Sequence, residues 1–135
     1  MKISIENPPY AVRQKCEAKF DLTAKKPVWT YGDTIYNPHD GVIDDFLLAH
    51  ETVHMYQQGG SPSSWWDNYL SNPTFRFNQE LEAYRVQFRV IRDMVKDRNE
   101  VVRRLFDMSE TLATMYGIDK KQSEIYKLIK NGIHV

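Results

Sequence analysis

A single cysteine, Cys16, stands among the 135 residues of the chain. It can form no internal disulfide, and no cysteine-rich metal cluster can be built on it, so any metal would have to be held by histidine and carboxylate. Net charge is also missing: lysine plus arginine and aspartate plus glutamate number 18 each. No overall field therefore draws the chain to nucleic acid or to an anionic membrane. Nor is there an uninterrupted apolar run of about 18 residues, the length a membrane-spanning helix needs. The opening "MKISIENPPY" lacks the apolar stretch of a secretory signal, and the expectation is a soluble, cytoplasmic protein. Repeats and low-complexity segments are absent too. The length suits one core without staples, so residues 1–135 are expected to form a single domain.

What is present has two textures. "KISIE" alternates apolar and polar residues over positions 2 to 6, a strand signal that "NPP" ends. "YAVRQKCEAKF" carries Tyr10, Val12, Cys16 and Phe20 along a predicted amphipathic helix. β-branched and aromatic residues on either side of "YGD" predict a hairpin of residues 28–31 and 34–36. From Gly41 the period becomes helical. Val42, Phe46, Ala49, Val53 and Tyr56 form one stripe, and Ile43, Leu47, His50, His54 and Gln57 the next, with Asp40 as the expected cap and Gly59 and Gly60 as the stop. Further helices are predicted over residues 63–70, 75–96 and 100–117, and a last one in "DKKQSEIYKLIKNG", capped by Asp119 with Gln122. The fold class is α+β: a short N-terminal sheet followed by a mainly helical region.

Chemistry concentrates in "HETVH", residues 50–54. Positions i and i+4 of a helix lie one above the other, so His50 and His54 can offer ring nitrogens to one metal ion, and zinc suits this pair. Glu51 is rotated by about 100° around the axis. That places its carboxylate beside the metal-bound water rather than on the metal, as the candidate general base. The plainer alternative is two hydrogen-bonded histidines on a core helix.

A catalytic zinc needs a third protein ligand and an open fourth position. Glycine three residues and histidine six residues after His54 would mark a metzincin, but Gln57 and Gly60 occupy those positions. "NQELEAYRVQ" offers two glutamates. Glu80 shares a helix side with Phe77, Leu81, Tyr84 and Gln87, whereas Glu82 lies with Asn78, Arg85 and Arg89. A carboxylate on an apolar side is costly unless partnered. Glu80 is therefore the preferred third ligand, with Glu82 as the alternative; pairing of Glu80 with an arginine such as Arg76 would instead make it structural.

"HETVH" with a downstream "ELEAY" resembles the gluzincin pattern of zinc metallopeptidases, which includes the ImmA/IrrE-like peptidases and the minimal gluzincins. More closely, "GDTIYNP", "LLAHETVHMYQQ", "WWDNYLSNPTFR" and "ELEAYRVQ" resemble small metallopeptidases encoded by phages and prophages. The resemblance runs from about residue 32 to residue 87. It implies a Zn2+ cofactor on His50, His54 and Glu80, Glu51 as base, and a peptide or protein substrate. Tyr84 stands where the broader pattern has an aspartate or asparagine that orients a ligand histidine; its hydroxyl can hydrogen-bond there but brings no charge. Tyr84, Tyr116 and His134 are the candidate oxyanion donors. The rival to an active peptidase is a regulatory or binding module of phage origin that keeps the metal and turns over little.

Other residues have two readings each. Trp65 and Trp66 beside Tyr69 can wall a cleft or cap the core. Gln57 and Gln58 can bond around the site or face solvent. "DTIY" reads as an edge strand, either an ordinary one or one that pairs with an extended substrate. His39 reads as a loop residue, and "RVQFRVIRDMVKDR" as a solvated face rather than a nucleic-acid patch.

Overall fold

The computed structural model describes residues 1–20, 22 and 26–132. Its order is β1 (Lys2–Ser4), α1 (Val12–Lys19), β2 (Trp29–Tyr31), β3 (Thr34–Tyr36), α2 (Asp45–Gln58), α3 (Pro62–Ser71), α4 (Pro73–Met94), α5 (Arg98–Met115) and α6 (Gln122–Asn131). This is the α+β arrangement expected, a small sheet leading into a mostly helical region.

β2 and β3 form the predicted hairpin, antiparallel with Tyr31 opposite Thr34. Gly32 takes φ 65° in the two-residue loop, where a positive φ is what a tight hairpin needs. β1 then pairs in parallel with β3, so the strand order is β1-β3-β2. The "DTIY" strand is thus central and cannot be the edge that accepts a substrate strand. β2 is an edge strand, but Thr30 O on it already accepts from Gln58 Nε2 (2.6 Å) and Trp66 Nε1 (2.9 Å). Gly32 N–H is taken by Gln58 Oε1 at 2.8 Å.

Three local expectations are corrected. Tyr10 and Ala11 have positive φ, so α1 starts at Val12 and Tyr10 is exposed; Val12, Cys16 and Phe20 are buried as expected. Asp40 also has positive φ, and Asp44 caps α2 instead by accepting from Leu47 N at 2.8 Å. Asp119 does not cap α6: Lys121 holds the N-cap position, with no side-chain bond.

Two apolar clusters flank the middle of the molecule. α1, β2 and α3 contribute Val12, Cys16, Trp29, Trp65, Trp66 and Tyr69 to one. α4, α5 and α6 contribute Phe77, Phe88, Leu105, Leu112, Ile125 and Ile129 to the other. Arg76 ties them together. Buried, it donates to Tyr116 O at the end of α5 and to Tyr69 O near the end of α3, both at 2.7 Å. It thus serves carbonyls that have no acceptor role inside their own helices. α2 lies at the seam, and its buried side is polar: His50, Glu51, His54 and Gln58. Val42, expected within the helical period, lies before α2 and is exposed, as is Tyr56 on α2. A helix that turns its polar stripe inward must satisfy it there.

Candidate metal centre

α2 and α4 supply the polar group that fills the seam. His50 and His54, one turn apart on α2, face Glu80 of α4, and all three are buried. Their approach forms a nearly equilateral triangle. His50 Nε2 lies 3.0 Å and His54 Nε2 3.1 Å from Glu80 Oε1, and the two Nε2 atoms are 3.1 Å apart.

The far nitrogens of both rings decide what these atoms are. His54 Nδ1 faces Gln57 Oε1 at 2.7 Å, and His50 Nδ1 faces Gln87 Oε1 at 2.9 Å. The amide of Gln57 can point only one way, because its Nε2 donates to Gln79 O and Glu82 Oε1, both at 3.0 Å. His54 Nδ1 therefore carries a proton to donate, and with Gln87 Oε1 accepting from His50 Nδ1 each neutral ring turns a bare Nε2 lone pair inward. Two lone pairs and a carboxylate oxygen converging at about 3 Å repel one another unless positive charge sits among them. A metal ion or a shared proton supplies it.

Without metal the proton does this work. Burial disfavours a charged His54, but the facing Glu80 carboxylate outweighs it and raises the ring to about 9. Burial likewise opposes an ionised Glu80, yet the charge of His54 and the bonds from both histidines hold its carboxyl far below the usual range. A metal ion bound there would displace that proton. Zinc uptake at pH 7 is expected to release about one proton per chain, with affinity rising as pH climbs toward 9. Calorimetry in two buffers of different ionisation enthalpy measures the release; none at pH 7 would contradict the proton-held triangle.

Glu51 stands beside the triangle rather than in it. Thr30 Oγ1 of β2 donates to Glu51 Oε1 at 2.9 Å, and Oε2 lies 3.7 Å from His50 Nε2. Burial raises its pKa, with His50 and His54 partly opposing. Glu82 is exposed and reaches the site only through the Gln57 amide. Arg76 spends its donors on backbone carbonyls, which leaves Glu80 to the histidines and to Tyr69, whose hydroxyl donates to Oε2 at 2.5 Å.

Tyr84 is placed differently from the expectation. Its ring packs edge-on against His50 at 4.4 Å, but its hydroxyl meets Tyr116 Oη at 3.0 Å rather than a ligand histidine. Gln87 and Gln57 orient the rings in its stead. His39 is exposed in a turn, and His134 lies outside the described residues. Trp65 and Trp66 belong to the apolar cluster and also line a narrow cavity of about 50 Å³ behind the histidines. On the other side a cleft of about 350 Å³ opens onto His50 and Glu51, walled by Tyr84, Tyr116, Met108 and Arg104.

The helical spacing that put Gln87 on the side of Glu80 already carried its position. Thr30 and Tyr69 come from other elements, and nothing in their local sequence marks them. Among the described residues no helix is long and apolar enough to cross a membrane. No protein-family model, curated protein or solved structure matches the chain.

Proposed function

We propose that the chain is a zinc-dependent peptidase that hydrolyses peptide bonds, with Glu51 as its general base. The observation that carries this is the convergence of two Nε2 lone pairs and one carboxylate oxygen, with both Nδ1 protons tied down. Tetrahedral zinc, with bonds of about 2.0–2.1 Å, spaces its donors about 3.3–3.4 Å apart. The triangle needs to open by only a few tenths of an ångström to match. Two histidines and one glutamate also make a ligand set that leaves a fourth position open.

Zinc held there would lower the pKa of a water molecule and polarise a substrate carbonyl. With zinc there, Glu51 would be placed to take a proton from that water and to return it to the leaving amine. Thr30 fixes one of its oxygens and leaves Oε2 on the side of the triangle, where a proton has to be collected. In the Tyr84–Tyr116 pair one hydroxyl donates to the other, so a proton remains for a developing oxyanion in the cleft that both line. The resemblance of residues 32–87 to phage and prophage metallopeptidases supports the same assignment.

The deep burial of His50, Glu51 and His54 favours one alternative, a metal-holding module that turns over little. Turnover separates the two. The zinc-loaded chain is expected to cleave a denatured protein or a pool of quenched fluorescent peptides, to stop on chelation and to recover with stoichiometric zinc. A zinc-loaded chain that leaves both substrates intact would favour the module.

A further inference from the structure

A different face of α5 carries a groove that shares no lining residue with the cleft. Two neighbouring cavities of about 580 and 650 Å³ open there, and Tyr126 and Lys130 line both. The floor is apolar. Leu105 and Val101 lie in it, and Val102 and Phe106 are 54% and 51% exposed, one turn apart on α5. Contiguous exposed apolar surface rimmed by charge marks interaction sites.

The rim is mostly positive. Arg92, Lys96 and Arg98 border one cavity, Lys127 the other and Lys130 both, while among the described residues Asp93 is the one acidic side chain in either lining. None of the five cations is in an ion pair among the described residues. The cleft side of α5 is the opposite case: Arg103 and Arg104 are neutralised there by Glu100 and Asp107. In a chain of zero net charge, five unpaired cations around an apolar floor are a local surplus.

We propose that this groove docks an acidic amphipathic segment of a partner protein. Its apolar side chains lie on Val102, Phe106 and Tyr126, and its carboxylates face the five cations. Charge complementarity of this kind sets partner choice and encounter rate, and an apolar stripe in a groove supplies the affinity. A nucleic-acid backbone would satisfy the cations but leave Val101, Val102 and Leu105 without a partner. The groove stands independently of what the metal centre does.

The test is selection of a random 16-residue peptide library on the full chain carrying Glu51→Gln, which leaves the groove untouched. Enriched peptides are then measured by fluorescence anisotropy against that chain and two further charge reversals. Lys127→Glu with Lys130→Glu alters one cavity, and Arg92→Glu with Lys96→Glu the other. Peptides combining acidic residues with apolar ones at helical spacing are expected, weakened about tenfold or more by each double reversal and by raised salt. The proposal is overturned if no peptide enriches, if the enriched peptides lack acidic residues, or if neither reversal weakens them. It is also overturned if single-stranded RNA binds more tightly than any peptide. Self-association that both reversals abolish would overturn it too, by making a second copy of the chain the occupant.

Discussion

Changing Glu51 to glutamine is expected to lower peptide hydrolysis by about 10²–10⁴-fold, the range that general acid–base catalysis contributes, while zinc stays bound. The substitution is nearly isosteric, and glutamine can still accept from Thr30 Oγ1, so the packing of α2 on β2 is kept. It removes only the ability to take a proton. Because Glu51 lies beside the His50–His54–Glu80 triangle and contributes none of its corners, metal content should not change. A fall in kcat with little change in KM would locate the loss in the chemical step. Activity within a fewfold of the unaltered chain would remove Glu51 from the mechanism.

Changing Glu80 to alanine is expected to weaken zinc binding by more than about 100-fold, beyond the 10–100-fold that loss of an outer-shell partner costs. Glu80 Oε1 is the corner that both histidines share, and the carboxylate is the only negative charge in the triangle. Glu82→Ala should stay within the outer-shell range, since Glu82 acts through Gln57. Glu80→Gln provides a variant that keeps the volume and an acceptor for Tyr69, which separates loss of the ligand from loss of packing. Competition against a chromophoric chelator ranks the three. If Glu82→Ala proved the more damaging, the third ligand would have to be reassigned.

The histidine pair was legible in the sequence because i,i+4 spacing needs only a helix to bring two donors together. Glu80 was legible for a different reason: a carboxylate on the side of Phe77 and Leu81 is a local conflict, and such conflicts mark sites where something else compensates. The rest depended on contacts between distant parts of the chain. Nothing near Thr30 announces that it will fix Glu51, and nothing near Tyr69 that it will bond to Glu80. Tyr84 was misplaced because its partner, Tyr116, arrives from α5.

The errors in the fold have the same character. β3 looked like an edge because β1, three residues long and far away in sequence, gives no hint that it will add in parallel. Asp40 looked like a cap because aspartate before an apolar run is a common start signal; the backbone there is left-handed, and the helix waits for Asp44. The sequence of α2 showed two adjacent stripes, one apolar and one carrying His50 and His54, without saying which faces inward. The polar side with His50, Glu51, His54 and Gln58 takes the interior instead, which leaves Tyr56 in solvent.

The central claim is that His50, His54 and Glu80 hold one metal ion. Metal content by mass spectrometry, with zinc-edge absorption on the same sample, tests it most directly. About one zinc per chain is expected, with nitrogen and oxygen donors at about 2.0–2.1 Å and no sulfur. A chain that holds no zinc as purified and takes up none on titration would contradict it, and the triangle would then be a proton-bridged core contact.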